Sequence, residues 1–330
     1  MTTSALHTKK GDFMKPIKVI PAFKDYIWGG QKLRTVYGKD TDLSPLAESW
    51  ELSCHPDGPS VIVGGEHDGK TLESYIQENP ACLGNGYDST ELPILIKLID
   101  AQDNLSVQVH PNDAQAKAWE NQNGKTEMWY VVASDPGASL YFGVNQPLTK
   151  EEFKEHIENN TLTDVLYKAD VKPGDVFFIE SGTIHAIGAG ILICEIQQNS
   201  NTTYRVYDYA RRGADGKLRE LHVDKAIDVS TLTPSDTADK QSAPESIPGG
   251  TKTDLASCEY FTTEKYEVDG TVELNADEKS FVSLVITEGE GTAEGEENTV
   301  AFKAADSLFV PAGAGKIKIT GKCIVVKTTV

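Results

Sequence analysis

The chemistry suggested by this sequence starts with Gln108 and His110, which stand two positions apart in the stretch SVQVHPND. Val107 and Val109 alternate with them, and successive side chains of a β-strand point to opposite faces of the sheet. We therefore expect Gln108 and His110 on the same face of one strand. Pro111 cannot donate a hydrogen bond to a neighbouring strand, so the strand is expected to end there. A polar pair at the end of a strand could form one half of a metal site.

Two further residues are candidates to complete such a site. Glu127 begins an aromatic and β-branched stretch that is typical of a strand, and His185 follows a glycine turn after another apolar stretch. With Gln108 and His110 they offer one amide oxygen, two imidazoles and one carboxylate, a set that suits Zn²⁺, with Fe²⁺ or Mn²⁺ as alternatives. Each residue alone is more often a solvated or hydrogen-bonded side chain. Only the combination points to a metal.

The spacing around His185 is the most specific of these signals. Gly174 is followed by five residues, then Glu180, one residue, Gly182, two residues and His185. This pattern resembles the second cupin motif, with Glu180 where proline is usual. The glutamine–histidine pair followed by Glu127 resembles the first cupin motif, with glutamine in place of a histidine and a helix inserted before the glutamate.

A closer resemblance extends over about residues 14–330 and is most specific between 104 and 209. The stretches that carry it are 27–30 (IWGG), 48–53 (ESWELS), 105–113 (LSVQVHPND), 124–129 (GKTEMW) and 200–209 (SNTTYRVYDY). Together they resemble the type I mannose-6-phosphate isomerases in their short bacterial form, within the cupin superfamily. The resemblance implies a zinc-dependent aldose–ketose isomerase that interconverts mannose 6-phosphate and fructose 6-phosphate through an enediol intermediate.

The resemblance also implies roles for individual residues. The zinc ligands that it implies are Gln108, His110, Glu127 and His185, with one zinc ion per chain. The active-site residues that it implies are Arg205 and Lys125, with Lys97, Ser106 and Glu195 lining the pocket. One position departs from the eukaryotic relatives, which have a tyrosine two residues after the zinc histidine, where this chain has Ile187.

The reaction itself requires a base, a partner for the developing oxyanion and an anchor for the phosphate. Arg205 matches phosphate through its planar fork, and Lys97 lies in an apolar run where a buried ammonium needs an anionic partner. Both residues, with Ser106, are candidates to bind substrate. The proton carrier is left open among Glu195, Lys125 and a water on the metal, and Arg205 is a further candidate to act on sugar hydroxyls.

Glu195 itself has two interpretations from the sequence. It lies between Cys194 and Ile196, an apolar setting that could raise the pKa of its carboxyl group and suit it to proton transfer. It could equally be the hydrogen-bond partner of a zinc-binding histidine.

Two other classes of function compete with the isomerase. A metal cupin oxygenase would usually have a histidine-rich triad with open iron positions, whereas Gln108 and the nearby basic residues favour zinc and a phosphosugar. A non-catalytic sugar-binding or regulatory cupin is the other alternative. Intact ligands in the first half of the chain and degenerate ones in the second half favour catalysis with a supporting domain.

An internal repeat supports two related domains. Residues 174–182 resemble residues 305–313 at a constant offset of 131, and Lys316 stands where the first copy has His185. The predicted fold class is mainly β, with two cupin-like jelly-roll domains and a few inserted helices. The expected divisions are a disordered extension (1–13), a catalytic cupin domain with helical insertions (14–230), a linker (231–254) and a degenerate C-terminal cupin-like domain of short strands with glycine turns (255–330).

The composition restricts the classes of partner that we expect for this chain. A formal net charge of −19 disfavours nucleic acid and anionic membranes as partners, but allows a small anionic substrate in a local basic pocket. No apolar run approaches the ~20 residues of a membrane span, and the first residues lack the apolar core of a signal peptide. Five scattered cysteines without a CxxC motif indicate reduced thiols. We expect a cytoplasmic monomer, with a dimer as the alternative.

Overall fold

The computed structural model describes residues 15–85, 91–213, 216–236 and 241–330. The extension expected over residues 1–13 lies outside these ranges. The helices are α1 (Lys32–Thr35), α2 (Leu72–Glu78), α3 (Asp113–Glu120), α4 (Lys150–Glu158) and α5 (Val223–Val229), with 3₁₀ helices at Pro80–Leu83 and Leu162–Val165.

Strands make up most of the regular structure. Those before residue 210 are β1 (Ile17–Ile20), β2 (Ala22–Lys24), β3 (Glu48–Leu52), β4 (Val61–Val63), β5 (Ile94–Ala101), β6 (Val107–Val109), β7 (Glu127–Ser134), β8 (Ser139–Val144), β9 (Leu166–Asp170), β10 (Val176–Ile179), β11 (His185–Ala186), β12 (Ile191–Gln198) and β13 (Tyr204–Tyr207). Those after it are β14 (Glu245–Ile247), β15 (Gly250–Ser257), β16 (Thr262–Ala276), β17 (Val282–Glu294), β18 (Thr299–Lys303), β19 (Ser307–Val310) and β20 (Gly315–Thr329). The mainly β prediction is confirmed.

Two antiparallel sheets form the N-terminal part of the fold. One has six strands in the order β10-β7-β12-β5-β3-β2, and the other has five in the order β13-β6-β11-β8-β9. A core that includes Trp129, Val131, Leu140, Phe142 and Ile193 takes side chains from both sheets. This pairing of two sheets around one apolar interior gives the cupin-like jelly roll that the sequence predicts.

Strand β6 turns its polar residues toward that interior. Val107 and Val109 pack on the other side, in a core shared with Phe153 of α4 and Ala226 of α5. Because side chains alternate along a strand, the intervening Gln108 lies on the inner face. The predicted alternation is therefore confirmed.

Helix α3 fixes the end of β6. Asn112 Oδ1 accepts a hydrogen bond from the Gln115 amide, and the Gln115 side chain accepts one from the Asn112 amide. This reciprocal cap satisfies two amide groups that the first helical turn leaves free. The chain therefore changes direction immediately after His110 and Pro111.

The C-terminal part is a nine-stranded sheet whose strands are longer than predicted. Strands β16 and β20 have 15 residues each, and β17 has 13. Glycines that indicated turns lie within these strands, with Gly321 opposite both Gly270 and Gly291. A Cβ atom on Gly321 would lie 2.3 Å from the carbonyl oxygen of Glu290. These glycines therefore permit close backbone approach, not turns.

The N-terminal and C-terminal parts of the chain contribute strands to one common sheet. Strands β1 and β4 belong to the C-terminal sheet, where β1 pairs with β19. Part of the segment expected to be a linker, residues 231–254, is also paired, because β14 and β15 form a hairpin at the edge of the same sheet. The remaining domain boundaries stay a prediction.

The internal repeat has a structural counterpart. Strand β10 and strand β19 are separated by the predicted offset of 131. Gly182 and Gly313, which follow them, both have positive φ values, 88° and 79°. Where His185 is buried in the first copy, Lys316 of the second copy is exposed and pairs with Glu273. The second copy thus keeps the turn and has lost the buried imidazole.

Candidate metal centre

Three candidate residues form one row across the five-stranded sheet. Gln108 on β6 lies directly opposite His185 on β11 and directly opposite Arg205 on β13. Directly paired residues of antiparallel strands have their side chains on the same face. The register therefore brings residues that are about 20 to 100 positions apart in sequence to one place on the inner face.

The other two candidate ligands, His110 and Glu127, lie close to His185. His110 Nε2 lies 3.5 Å from Glu127 Oε2, and His185 Nε2 lies 3.4 Å from Glu127 Oε1. The ligand atoms of these three residues all lie within 4.8 Å of one another, and all three side chains are buried. Gln108 Nε2 lies 3.4 Å from His185 Nε2, and a half-turn of the amide would bring its oxygen to the same point.

The hydrogen bonds of the two histidines determine which nitrogen faces the cluster as an acceptor. His110 Nδ1 donates to the carbonyl oxygen of Thr202 at 3.0 Å, and His185 Nδ1 donates to that of Thr183 at 2.8 Å. Since a carbonyl can only accept, both Nε2 atoms carry lone pairs. Burial lowers the pKa of His185 to about 3 and, with Lys125, holds the pKa of His110 well below its usual value.

At one point of this buried cluster, an acceptor atom therefore faces another acceptor atom. Glu127 Oε1, which faces His185 Nε2, has no hydrogen-bond partner within the described parts of the chain. Burial raises the pKa of Glu127 to about 7, although Lys125 opposes the shift. Buried acceptors without donors are costly, and a cation satisfies them. Two imidazoles, one carboxylate and a nearby amide oxygen fit a zinc ion.

Lys125 supplies a positive charge next to this cluster. Its ammonium group donates to His110 Nε2 at 3.1 Å and forms a close ion pair with Glu127. The same nitrogen lies 4.0 Å from Glu195 Oε1. Lys125 therefore stands between the candidate ligands and the second group of charged residues.

That second group forms a row across the six-stranded sheet. Trp129, Glu195, Lys97 and Trp50 lie directly opposite one another in turn on β7, β12, β5 and β3. Lys97 Nζ lies 3.3 Å from Glu195 Oε2 and 3.8 Å from Glu48 Oε2. These two carboxylates are the anionic partners that burial of Lys97 requires.

The pKa of Glu195 moves in the opposite direction to the one expected from its apolar neighbours. Burial alone would raise the pKa, but the ammonium groups of Lys125 and Lys97 outweigh it and hold the pKa below its usual value. Glu195 also accepts a hydrogen bond from Trp129 Nε1 at 3.1 Å. The carboxylate is thus ionised and held from three sides.

Ser106 immediately precedes β6, and Arg205 lies opposite Gln108 on β13. Arg205 Nε donates to Ser106 Oγ at 3.3 Å, and Arg205 Nη1 donates to the carbonyl oxygen of Glu220 at 2.9 Å. Burial lowers the pKa of Arg205, and the nearby Arg219 lowers it further. All nine predicted site residues thus lie on the two facing sheets or immediately beside them.

Comparison with known proteins gives the family. A profile described as the catalytic domain of type I phosphomannose isomerase matches residues 17–141, and one described as the mannose-6-phosphate isomerase cupin domain matches residues 251–330. Mannose-6-phosphate isomerase ManA of Bacillus subtilis is 40% identical over 314 residues, which cover 94% of this chain and 98% of that protein. This chain belongs to the type I mannose-6-phosphate isomerase family. The predicted resemblance is confirmed.

Further comparisons agree with this family and this fold. The mannose-6-phosphate isomerase of Streptococcus mutans is 39% identical over 86% of this chain and 89% of its own length. The crystal structure of the Bacillus subtilis enzyme superposes with a TM-score of 0.90 at 35% identity, covering 96% of this chain and 99% of that one. A protein from Archaeoglobus fulgidus, described as a putative mannosephosphate isomerase, shares the fold with a TM-score of 0.78 at 23% identity.

The structure of this family member adds residues that sequence reasoning did not assign to the site. Glu48 and Trp50 lie in the stretch 48–53 that carries the resemblance, but no role in the site was predicted for them. Trp50 Nε1 donates to Glu48 Oε2 at 2.7 Å beside Lys97. The signal that could have found Glu48 was a carboxylate on an otherwise buried strand. Ile187, at the position of the eukaryotic tyrosine, is buried in the apolar core.

Within the described ranges, no helix combines the length and the apolar character that a membrane-spanning helix needs.

Proposed function

We propose that this chain interconverts mannose 6-phosphate and fructose 6-phosphate, with one zinc ion held by Gln108, His110, Glu127 and His185. Relatives named for this isomerase match nearly the whole chain. The observation that carries the proposal is the buried set of acceptor atoms on His110, Glu127 and His185. Basic side chains on both sheets surround this set, as an anionic sugar requires.

The ion would supply a Lewis acid that polarises a carbonyl oxygen of the sugar. The chain's own contribution begins with the histidines, whose bonds to the carbonyls of Thr202 and Thr183 hold each ring in one orientation. Such bonds fix the tautomer that presents Nε2. Gln108 contributes a neutral donor, so that Glu127 is the only charged member of the set.

Glu195 is the proton acceptor in this proposal. Its lowered pKa keeps it ionised at neutral pH, and its position between Lys97 and Lys125 aims it at the space beside the ligand set. A positioned base contributes about 10²–10⁴-fold to such reactions. Lys125, 4.0 Å from Glu195, is placed to move a proton between the two neighbouring sugar oxygens.

Arg205 and Ser106 bind the substrate on the opposite sheet. Arg205 lies beside Gln108 in the strand register, so its guanidinium reaches the sugar next to the metal ligands. A fixed guanidinium can stabilise the oxyanion that develops in an enediol-like intermediate. Lys97 completes the substrate-binding group by holding Glu195 and facing the same space.

The walls of the site exclude water. Trp50 and Trp129 are fully buried at the two ends of the charged row on the six-stranded sheet. Exclusion of water strengthens the interactions of Glu195 and Lys97 with a bound sugar, because the local dielectric constant falls.

The test is an assay of the purified protein on mannose 6-phosphate, coupled to consumption of fructose 6-phosphate, with zinc present. Conversion by the wild-type chain and none after substitution His185→Ala is the expected result. Free mannose and an oxygenase substrate panel serve as comparison arms. No conversion of mannose 6-phosphate by the zinc-loaded wild-type chain would refute the proposal.

We also expect the substrate to be the main partner and the protein to act in the cytoplasm as a monomer. All five cysteines are free and dispersed, which agrees with a reducing compartment. Sedimentation of the purified protein would report its mass in solution. A mass twice that of one chain would show a dimer and contradict the monomer.

A further inference from the structure

Glu51 on β3 is a fully buried carboxylate that the proposed function does not use. Its Oε1 atom lies 2.6 Å from Lys39 Nζ, and the two side chains are only 0% and 7% exposed. Its Oε2 atom accepts a hydrogen bond from Ser307 Oγ at 2.6 Å. Lys39 also donates to the carbonyl oxygen of Ala305 at 2.6 Å. The C-terminal part of the chain therefore holds this carboxylate both directly and through a lysine.

Glu51 is also the extra residue of a β-bulge. Trp50 lies directly opposite Lys97 on β5. The next pair joins Leu52 to Ile96, the neighbour of Lys97, so that β5 has no residue opposite Glu51. Leu52 packs in the apolar core between the six-stranded sheet and the C-terminal sheet, the side on which Glu51 makes its contacts. Because a bulge re-aims the side chains next to it, the place where Glu51 is held affects the direction of Trp50.

Trp50 is the wall of the site that this register positions. Lys97 Nζ lies 5.1 Å from the centroid of the Trp50 ring. Trp50 Nε1 donates to Glu48 Oε2, the same oxygen that lies 3.8 Å from Lys97 Nζ. Lys97 in turn lies 3.3 Å from Glu195, the proton acceptor of the proposed reaction. A displaced indole would therefore disturb the whole charged row of the six-stranded sheet.

The C-terminal side of the contact lies where the second copy of the internal repeat differs from the first. At the offset of 131, Ala305 stands where the first copy has Gly174, and Ser307 stands where it has Val176. Ala305 and Gly174 both have positive φ values, 64° and 93°. Glycine adopts this region freely, whereas alanine does so at a cost and only where the surroundings enforce it. The second copy thus keeps the turn and presents the Ala305 carbonyl and the Ser307 hydroxyl to the N-terminal part.

Buried charge is a poor source of net stability. Apolar side chains of similar volume often stabilise a core as well as a buried ion pair does, because the pair must lose its hydration. In some proteins such a pair instead fixes one arrangement among several. Here the arrangement is the position of Glu51 in the bulge, beside the indole that contacts the charged row.

We propose that Glu51 is a positioning residue through which the C-terminal sheet fixes Trp50 against Lys97 in the active site. Ser307 and Lys39 hold the carboxylate, and the bulge transmits its position to the indole. Glu51 acts from the far side of the strand and does not touch the sugar. The inference rests on the proposed function, because turnover of mannose 6-phosphate is one of its two measurements.

The test compares Ser307→Val with Thr263→Val as the matched control. Valine is the residue of the first copy, Val176, and it removes the hydroxyl that bonds to Glu51. Thr263 is likewise buried, and its hydroxyl bonds to that of Thr328, so that the control loses one buried hydrogen bond of the C-terminal sheet that does not involve β3. For each zinc-loaded protein, kcat and KM for mannose 6-phosphate, zinc content and unfolding temperature are measured.

The expected result separates positioning from stability. Both variants should unfold at a lower temperature than wild type, since each loses a buried hydrogen bond. Only Ser307→Val should also lose turnover, with kcat about 10-fold or more below wild type and zinc content unchanged, because small displacements of positioned groups slow a reaction strongly. A kcat of Ser307→Val equal to that of Thr263→Val would overturn the inference.

The route through the indole is tested in a Trp50→Phe background. Trp50→Phe alone should lower kcat, and Ser307→Val should lower it no further in that background, because both changes disturb the same contact. Thr263→Val should behave alike in the two backgrounds. Losses from Ser307→Val and Trp50→Phe that multiply as independent effects would overturn the inference.

Glu51→Gln serves if Ser307→Val does not fold. It keeps the shape of the side chain and an oxygen that accepts from Ser307, but it loses the charge that pairs with Lys39. The near-UV circular dichroism of Trp50, taken as the difference from the same protein carrying Trp50→Phe, should change in Glu51→Gln. A Trp50 signal identical to that of wild type would overturn the inference. Failure of the proposed function has a different signature, since the wild-type protein would then not convert mannose 6-phosphate, while this signal would still report the position of the indole.

Discussion

Gln108 and Arg205 lie directly opposite each other on β6 and β13, while His185 lies opposite Gln108 on the other side. The strand register thus places a candidate ligand and a candidate substrate-binding residue side by side on one face. Arg205 makes its side-chain hydrogen bonds to Ser106 and to the backbone of Glu220, not to the charged ligands. Metal binding and turnover should therefore respond separately to substitution.

Arg205→Ala should retain zinc and lose turnover. Removing one donor to a developing oxyanion typically costs about 10²–10³-fold in kcat. Arg212→Ala, in the exposed neighbouring loop, is the control and should keep wild-type kinetics. The measurement is kcat with zinc content determined on the same sample, and a large loss of zinc from Arg205→Ala would contradict the separation.

His185→Ala should lose the metal and the activity together. The buried imidazole faces Glu127 Oε1, an acceptor without another partner in the described residues, so its removal opens the ligand set. His156→Ala, on α4 where the imidazole bonds to Thr161, is the matched histidine control and should keep both properties. Metal analysis after dialysis checks the prediction, which fails if His185→Ala still holds one zinc ion per chain.

Gln108→His should keep zinc but lower turnover about tenfold or more. A third imidazole is a stronger donor than an amide oxygen, so the ion polarises the sugar less. The ring would also crowd Arg205, the opposite neighbour on β13. Gln122→His, on the exposed segment after α3, controls for an added histidine. Full isomerase activity in Gln108→His would show that the neutral ligand has no special role.

Glu195→Gln should abolish proton transfer while preserving the fold. The amide keeps the hydrogen bond with Trp129 and about the same volume, so a loss of about 10²–10⁴-fold in kcat would reflect the base. Lys125→Met is the comparison, and Glu180→Gln, on an exposed turn, is the control. Exchange of solvent hydrogen into the sugar measures the step. Normal exchange in Glu195→Gln together with its loss in Lys125→Met would assign the proton to Lys125.

The free energy of unfolding should fall in acid because Glu264 in the C-terminal sheet becomes protonated. Burial alone would raise the pKa of Glu264, but Lys252 and Lys327, at 2.6 and 2.7 Å, hold it below its usual 4.5. A depressed carboxyl pKa stabilises the fold above the unfolded value, and this stabilisation disappears as pH falls through the folded value. Glu264→Gln should therefore lower the free energy of unfolding by about 1–3 kcal/mol at pH 7.

Urea unfolding of wild type and Glu264→Gln at neutral pH and at a pH well below 4.5 provides the measurement. The difference between the two proteins should shrink in acid. Glu267→Gln, which pairs with Lys265 at an exposed position on the same strand, is the control and should change stability by less than about 1 kcal/mol. A difference for Glu264→Gln that is constant with pH would contradict the prediction.

The parts of the site that the sequence predicted are those set by local pattern. Alternation in β6 predicted the shared face of Gln108 and His110, and family motifs added Glu127 and His185. The mainly β fold followed from short apolar stretches separated by turn residues. The 131-residue offset also predicted a pair of equivalent strands, which the structure contains at β10 and β19.

The features that the sequence did not predict depend on pairing between segments that are distant in the chain. Register between β3 and β5 brings Glu48 and Trp50 to Lys97, and no local pattern records that register. The lowered pKa of Glu195 arises from two lysines on other strands, which outweigh the burial that the sequence did indicate. The long C-terminal strands were misread because glycine signals a turn and a close backbone crossing equally well.

The most direct test of a metal-dependent isomerase is a zinc titration of the chelator-treated wild-type protein, with conversion of mannose 6-phosphate and bound zinc followed together. Activity should rise from near zero in proportion to bound zinc and level off at one ion per chain. Full conversion of mannose 6-phosphate by protein that analysis shows to be free of metal would contradict the proposed centre.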